Sequence, residues 1–345
     1  MKNIFKNRVI LVTGGTGSIG SEIVRQILHF KPAAVRIFSR DEFKQFQMQQ
    51  ELSKFSNIRY FIGDIRNPER VRLATRGANY VFHAAALKHV PACEYNAFEA
   101  VETNVIGTQN LVNAAIEAKV DKFIAISTDK ACHPLNVMGA TKLLSEKIVT
   151  SSQYHKGKSQ TVMANVRFGN VLGSRGSVIP LFLNQIKNNQ PLTITDPEMS
   201  RFFVSIPEAV QLVYKSMNDC LGGEVFIFKM PALTIGTLID ALIELVCEAN
   251  PDKTIRPKKK IIGIRPGEKM YELLMNEAEV SLCLETPKMY IIRSQIDIPN
   301  WRGKISSYRG AKKITSCSYD SRQTQLLSIA ECKKMLKRVK LDLKI

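Results

Sequence analysis

The stretch Arg8-Val9-Ile10-Leu11-Val12-Thr13-Gly14-Gly15-Thr16-Gly17-Ser18-Ile19-Gly20 decides the fold. Its first six residues, RVILVT, form an apolar run that reads as a buried strand. Gly14, Gly17 and Gly20 follow in G-x-x-G-x-x-G spacing around Thr16, Ser18 and Ile19, and Ser21–Phe30 continues with apolar residues at helical intervals. Glycine permits a tight turn and a close approach of backbone to pyrophosphate. The helix N-terminus then offers free N–H groups to the anion. Strand, glycine turn and helix in this order form a dinucleotide-binding element.

Outward from this turn the alternation recurs. Val35–Ser39, Arg59–Ile62, Tyr80–Ala86, Phe123–Ser127 and Thr161–Phe168 read as strands, separated by helix-like segments such as Asn104–Ala118. This predicts an α/β fold with a doubly wound parallel sheet of the Rossmann type over residues 1–173. Phe202–Leu221, read as a helix, and Glu224–Phe228, read as a strand, would complete it over about 201–228. Prolines at 180, 191, 197, 207, 251, 257 and 266 break the pattern after Gly173. Residues 174–200 and 229–300 therefore read as a smaller α/β substrate lobe, and 301–345 as a C-terminal tail. In the tail, Ile329, Cys332, Met335, Leu336 and Val339 share one face of an expected helix from Ile329 to Leu341, ringed by Lys333, Lys334, Lys337, Arg338 and Lys340. Such a helix docks on the body of the protein or on a neighbouring subunit. A basic amphipathic helix on a membrane surface is the alternative.

The 345 residues are 45% hydrophobic and 23% charged, a globular composition that excludes a disordered chain. No apolar run reaches the roughly 18 residues of a membrane span, and no signal peptide is visible. The seven cysteines contain no Cys-x-x-Cys pair and the five histidines show no ligand spacing. This points to a reducing cytoplasm and no metal site. Net charge is +18, and residues 301–345 alone hold 12 Lys and Arg against 3 Asp and Glu. With no aromatic interleaving, this favours an anionic small molecule such as a nucleotide over nucleic acid.

The second strand ends Phe38-Ser39-Arg40-Asp41, with Lys44 one helical turn on. A hydroxyl and two cations suit a ribose 2′-phosphate and predict NADP, whereas Asp41 keeps NAD as the alternative. Gly63-Asp64-Ile65 ends the third strand, where an acid and an apolar residue can flank adenine. Ala84-Ala85-Ala86 ends the fourth, small enough for a cofactor to lie across. Ser127-Thr128-Asp129-Lys130-Ala131 closes the fifth, followed by Met138-Gly139-Ala140-Thr141-Lys142. Short-chain dehydrogenases place Tyr-x-x-x-Lys at this second position, both side chains on one helix face. Lys142 is present, but Met138 stands where the tyrosine would be, and a thioether carries no proton at neutral pH.

These stretches, with YFIGDIR (60–66), HAAALKHVPACEYN (83–96), ETNVIGTQN (102–110), RFGNVLGSRGSVIPLF (167–182), LTITDPEMSRFFVSIPEAV (192–210) and IGIRPGEK (262–269), carry a family resemblance. The chain resembles the UDP-N-acetylglucosamine 4,6-dehydratases, extended short-chain dehydrogenases of bacterial surface-glycan synthesis. The resemblance implies hydride loss at C4 of the hexose, elimination of water across C5–C6 and hydride return to C6. By the matching Thr-Asp-Glu of related deoxysugar dehydratases, Asp129 is the acid beside Thr128 and Lys130 the base, its proton weakened by desolvation and by Lys142. It also places Asn170 at the substrate diphosphate and Gly173–Val178, with Ser177, along the pocket. Arg201 and Arg265 are expected diphosphate clamps, Glu268 a ribose acceptor and Lys88 a sugar or phosphate contact. Cys132 reads as a bystander. A cytoplasmic homo-oligomer, dimer or hexamer, is implied, and the soluble inverting type is favoured by the Ala86-Leu87-Lys88-His89 stretch. A retaining dehydratase, a 4-epimerase and a scaffold that has lost catalysis are the alternatives.

Overall fold

The computed structural model describes residues 3–253, 255–294, 296, 298, 305–314, 319–339 and 341–344; Lys340 of the expected C-terminal helix lies outside them. Six expected strands form close to their sequence positions: β1 (Val9–Thr13), β2 (Ala34–Ser39), β3 (Ile58–Ile62), β4 (Tyr80–His83), β5 (Lys122–Thr128) and β6 (Val162–Phe168). With Val225–Phe228 they make a parallel array in the order Val225–Phe228, β6, β5, β4, β1, β2, β3. The order reverses beside β1, so the connections after β1 and β4 leave toward opposite faces of the sheet and open a crevice at the strands' C-terminal ends. Both faces are covered. Along β1, Ile10 and Val12 pack with Ile23 and Ile27 of α1 (Ser18–Leu28), while Leu11 packs with Leu111 and Val112 on the opposite face.

The structure departs from the sequence reading in three places. Met289–Ile292, Cys283–Glu285 and Lys312–Lys313, expected in the smaller lobe and the tail, add antiparallel strands to the main sheet beside Val225–Phe228. Phe202–Val204 is strand rather than helix: Ser200–Val204 pairs with Ala232–Thr234 and with Asn170–Val171. The helix starts only at Ile206, because Ser205 and Glu208 form a reciprocal capping box with Pro207 in the first turn. The C-terminal helix is also shorter, Ile329–Leu336. It docks within its own chain, burying Cys332, Met335 and Leu336 beside Leu238, Leu242 and Leu245 of helix Ile235–Ala249. Among the described residues no helix is long and apolar enough to cross a membrane.

One polar tie joins the halves. Arg167, at the end of β6 and 1% exposed, extends its guanidinium between Glu146 of helix Val137–His155 and Glu279. Its Nε and Nη2 donate to Glu146 at 3.0 and 2.6 Å, Nη2 and Nη1 to Glu279 at 2.9 and 3.0 Å, and Nη1 to the Leu274 carbonyl at 2.8 Å. Burial opposes this charge, but the two carboxylates outweigh it and hold the guanidinium firmly protonated. Removing the cation would strand two buried acids. Arg167→Met is expected to lower stability by about 3–5 kcal/mol, read from the urea midpoint. Arg167→Lys should recover only part of it, because an ammonium cannot reproduce the fork.

Candidate active site

A cleft of about 670 Å³ opens at the C-terminal ends of the central strands. One wall is the glycine turn: Thr16, Gly17, Ser18, Ile19 and Gly20 line it, with Lys44, Ala84 and Ala86. Gly14 sits at φ +64°, and a Cβ there would lie 2.7 Å from the Ala84 backbone; at Gly20 one would lie 2.2 Å from the Gly14 carbonyl oxygen. Gly17 caps α1 without a side-chain acceptor, leaving the first-turn N–H groups for an anion. This cradle fits a dinucleotide. At the tip of β2, Ser39 Oγ accepts from Gln45 Nε2 at 3.0 Å. Arg40 is exposed and 3.5 Å from Asp64. Asp41 accepts from the Lys44 N–H at 2.9 Å as the cap of α2 (Glu42–Glu51) and also pairs with the Lys44 ammonium. Asp64 is held below the usual carboxylate range, against its burial, by Arg66 at 2.8 Å and Arg40. Ile65 and Ala85 sit behind the cleft wall, Ile65 buried against Gly107.

The opposite wall carries Lys88, Thr128, Lys130, Met138, Lys142, Asn170 and Ser177. Asp129 is wholly buried beneath it. Its Oδ1 accepts from Thr128 Oγ1 at 2.8 Å and from Lys130 Nζ at 3.0 Å, while Oδ2 has no hydrogen-bond partner. A Cβ at Gly169 would stand 3.4 Å from that buried oxygen. Ser177 Oγ is likewise buried without a partner. Lys142 Nζ donates to the Ile126 carbonyl at 2.7 Å, and burial lowers it to about 8 despite Glu146. Met138 packs with Cys93 and Ala100. His83, buried between Thr13 Oγ1 (2.8 Å) and Thr108 Oγ1 (3.0 Å), is lowered to about 3 by burial and then by Lys142, so it stays neutral.

Several expectations are corrected. Lys130 is not weakened: burial pulls it down, but Asp129 and Glu272 outweigh this and raise it to about 12. Arg201 does not face the cleft. Its guanidinium donates to the carbonyls of Ser200 (2.8 Å), Lys269 (2.8 Å) and Met270 (3.3 Å), because the backbone turn at 269–270 wraps around it. Arg265 and Glu268 stand on an outer loop, Arg265 exposed and its N–H 3.4 Å from Glu268, and neither lines the cleft. Cys132 is buried and its thiol pushed up to about 12 by burial, as suits a bystander.

Arg175 was expected only as part of the Gly173–Val178 pocket segment, and Glu272 escaped the sequence reading. Arg175 donates from its backbone to Ser18 Oγ at 3.1 Å and from its guanidinium to the Thr16 carbonyl, while Lys88 Nζ donates to the Arg175 carbonyl at 2.7 Å. The 173–177 loop thus bridges the two walls. Glu272, buried, brings Oε1 to 3.4 Å from Lys130 Nζ. Nothing in the Met270-Tyr271-Glu272 stretch singled out Glu272.

The family model described as "Polysaccharide biosynthesis protein" matches residues 10–294. The chain belongs to this family. It is 40% identical to the UDP-N-acetylglucosamine 4,6-dehydratase (inverting) of Campylobacter jejuni, covering 92% of this chain and 93% of that one. It is 47% identical to an uncharacterized membrane protein of Methanocaldococcus jannaschii, over 98% of both. A protein named UDP-glucose 4-epimerase, of Rickettsia canadensis, is 39% identical over 96% of both. Among solved structures, Pen from Bacillus thuringiensis superposes with a TM-score of 0.90 at 45% identity, over 98% of this chain and 99% of that one. The family resemblance in the motifs and the doubly wound fold are both borne out. As the glycine turn is the cradle common to this fold, Gly20→Ala, whose Cβ would meet Gly14 oxygen at 2.2 Å, is expected to weaken binding of a nicotinamide dinucleotide. Overpacking of 1–3 kcal/mol corresponds to about 5- to 150-fold, measured by fluorescence titration, with the far-UV circular dichroism unchanged.

Proposed function

We propose that this family member catalyses NADP-dependent 4,6-dehydration of UDP-N-acetylglucosamine with inversion at C5, giving the L-arabino 4-keto-6-deoxy sugar for surface-glycan synthesis. The observation that carries this reading is the Asp129–Lys130 pair at the end of β5, bonded at 3.0 Å, with Lys130 facing the cleft and Met138 in the place of a proton-carrying tyrosine. An epimerase needs one proton carrier at C4 and has no use for a second acid and base at C5 and C6; a dehydratase needs both.

NADP, held by the glycine turn with Ser39, Arg40 and Lys44 toward its 2′-phosphate, would supply the acceptor for the C4 hydride and its donor at C6. Asp41, the carboxylate that would favour a free 2′-hydroxyl, is engaged as the cap of α2 and by Lys44, which supports NADP over NAD. Once C4 is a ketone, the C5 hydrogen is acidic. Lys130 removes it, and Asp129, which takes the C4 hydroxyl proton as C4 is oxidised and whose Oδ2 is unpartnered, passes that proton to the departing O6 so that water leaves. Lys142 orients the nicotinamide ribose, and Asn170, Ser177 and Lys88 bind the substrate. The epimerase name of the Rickettsia relative favours a second reading, in which C4 is inverted without loss of water.

NMR of the product formed from UDP-N-acetylglucosamine in D2O decides between these. The dehydratase gives a 4-keto-6-deoxy sugar with deuterium at C5, its L-arabino configuration separating it from a retaining enzyme. An epimerase gives the galacto isomer with C5–H intact. Lys130→Ala should lose at least about 100-fold in turnover, whereas Met138→Ala should stay within about tenfold because no proton passes through it. A Met138→Ala enzyme as inactive as Lys130→Ala would refute these roles. Arg40→Ala should weaken NADPH more than NADH, by about ten- to a hundredfold for one charge-assisted contact; equal weakening would assign the 2′-phosphate elsewhere.

A further inference from the structure

Glu272 comes up beside Lys130 from outside the parallel array, as the residue just before strand Leu273–Met275. Its backbone is clamped. The Glu272 N–H donates to Ser321 Oγ at 3.1 Å, the Glu272 carbonyl accepts from the Ser321 N–H at 3.0 Å, and Ser321 Oγ lies 2.7 Å from Ser200 Oγ. The neighbouring Lys269 and Met270 carbonyls are held by Arg201. The side chain is 4% exposed, with Oε1 3.4 Å from Lys130 Nζ and 3.8 Å from Arg201 Nε. Arg201 directs its Nη hydrogens at carbonyls, so it contributes charge without a hydrogen bond to the acid. Glu272 Oε2 is buried with no hydrogen-bond partner. A carboxylate oxygen left bare in a buried, rigidly held position costs stability, and such groups in native structures have a reason.

The charged groups facing Lys130 are Asp129 on its own turn, Glu272 from the 269–275 segment and Arg201 from strand Ser200–Val204. Asp129 Oδ1 already accepts from both Thr128 and Lys130. With Lys130 held as an ammonium, a base at C5 exists only if its proton has somewhere to go, and Glu272, with Oε1 3.4 Å away and Oε2 unpartnered, is the acceptor within reach.

We propose that Glu272 is the proton partner of Lys130, taking a proton from its ammonium so that the amine can remove the substrate's C5 hydrogen. The inference rests on the dehydratase reading above. One N–H bond of Lys130 breaks and an O–H bond forms on Glu272, converting ammonium and carboxylate into amine and carboxylic acid. The amine lone pair then takes the C5 proton, the C–H electrons pass into the enolate of the 4-ketone, and Lys130 is again an ammonium. When C5 is reprotonated from Lys130 at the end of the cycle, the proton held on Glu272 returns to the amine. Glu272 touches no substrate in this scheme and is a positioning residue.

The test compares wild type, Glu272→Gln, Glu272→Asp and Lys130→Ala as full-length enzyme. First, the wild type is given UDP-N-acetylglucosamine: a galacto product, or none, ends the dehydratase reading and this step with it. Given the 4-keto product, Glu272→Gln is expected to lower kcat by about 100-fold or more with KM within about threefold. The burst of NADPH absorbance on mixing enzyme, NADP and substrate should persist, because C4 oxidation precedes the step. Glu272→Asp should recover part of kcat. A readout independent of turnover is the 13Cε resonance of Lys130, assigned by its loss in Lys130→Ala. Removing one facing anion should move its titration down by about one unit or more, since a nearby opposite charge favours the ionised form. Wild-type kcat and an unmoved Lys130 titration in Glu272→Gln would overturn the proposal. Loss of the NADPH burst together with product, without rescue by Glu272→Asp, would equally overturn it and leave Glu272 a structural residue.

Discussion

The buried fork of Arg167 between Glu146 and Glu279 is the constraint on which the site's geometry depends. Each partner lies on a different element: β6 supplies the cation, helix Val137–His155 one acid and the segment after Met275 the other. The helix also carries Met138 and Lys142, and Glu272 lies on the chain leading to Glu279. One guanidinium therefore ties the helix holding Lys142 to the segment that follows Glu272. Such a pair gives little net stability relative to apolar packing, but it is strongly directional, and a mispositioned helix would leave charges unpaired. Here it enforces a single registry among three elements that share no backbone hydrogen bonds at that point.

Within that frame two lysines one helix apart are driven in opposite directions. Lys142 meets only a carbonyl at 2.7 Å and a more distant Glu146, and burial lowers it to about 8. Lys130, only partly buried, is raised to about 12, because Asp129 and Glu272 stand at 3.0 and 3.4 Å. Desolvation acts on both; the number of facing carboxylates decides the sign. Environments that push titrating groups apart are how a site separates proton tasks.

The sequence made the doubly wound half legible because strand, glycine turn and helix are local, and each buried strand announces itself as an apolar run. Gly14, Gly20, Asp129 and Lys130 could be placed for the same reason, since they sit at or just past strand ends, and Lys142 by its spacing from Met138 on one helix face. What failed was non-local. Phe202–Val204 looks apolar enough for a helix face, and only the Ser205–Glu208 capping box shows where the helix begins. Arg201 carries the charge of a phosphate clamp, but a carbonyl-rich turn 68 residues away claims its fork. Glu272 has no motif; its meaning comes from Ser321 and Lys130, which lie far from it along the chain.

The basic tail shows why charge counts alone misjudge a surface. Lys333 pairs with Glu244 at 2.7 Å and Glu248 at 2.5 Å, Lys337 with Glu248 at 3.1 Å, and Lys187 with Asp342 at 2.5 Å. Exposed pairs like these contribute little energy each, so they do not hold the tail in place. Cys332, Met335 and Leu336 do that, buried on the lobe. Once anchored, the chain before the helix is directed across the molecule, where Tyr319–Asp320 pairs with Leu273–Met275 and Ser321 clamps Glu272. The basic C-terminal segment thus helps to hold Glu272 beside Lys130. Its apolar stripe, rather than its excess of lysine, was the informative signal, because burial of a few methylene-rich side chains outweighs the screened attraction of surface ions.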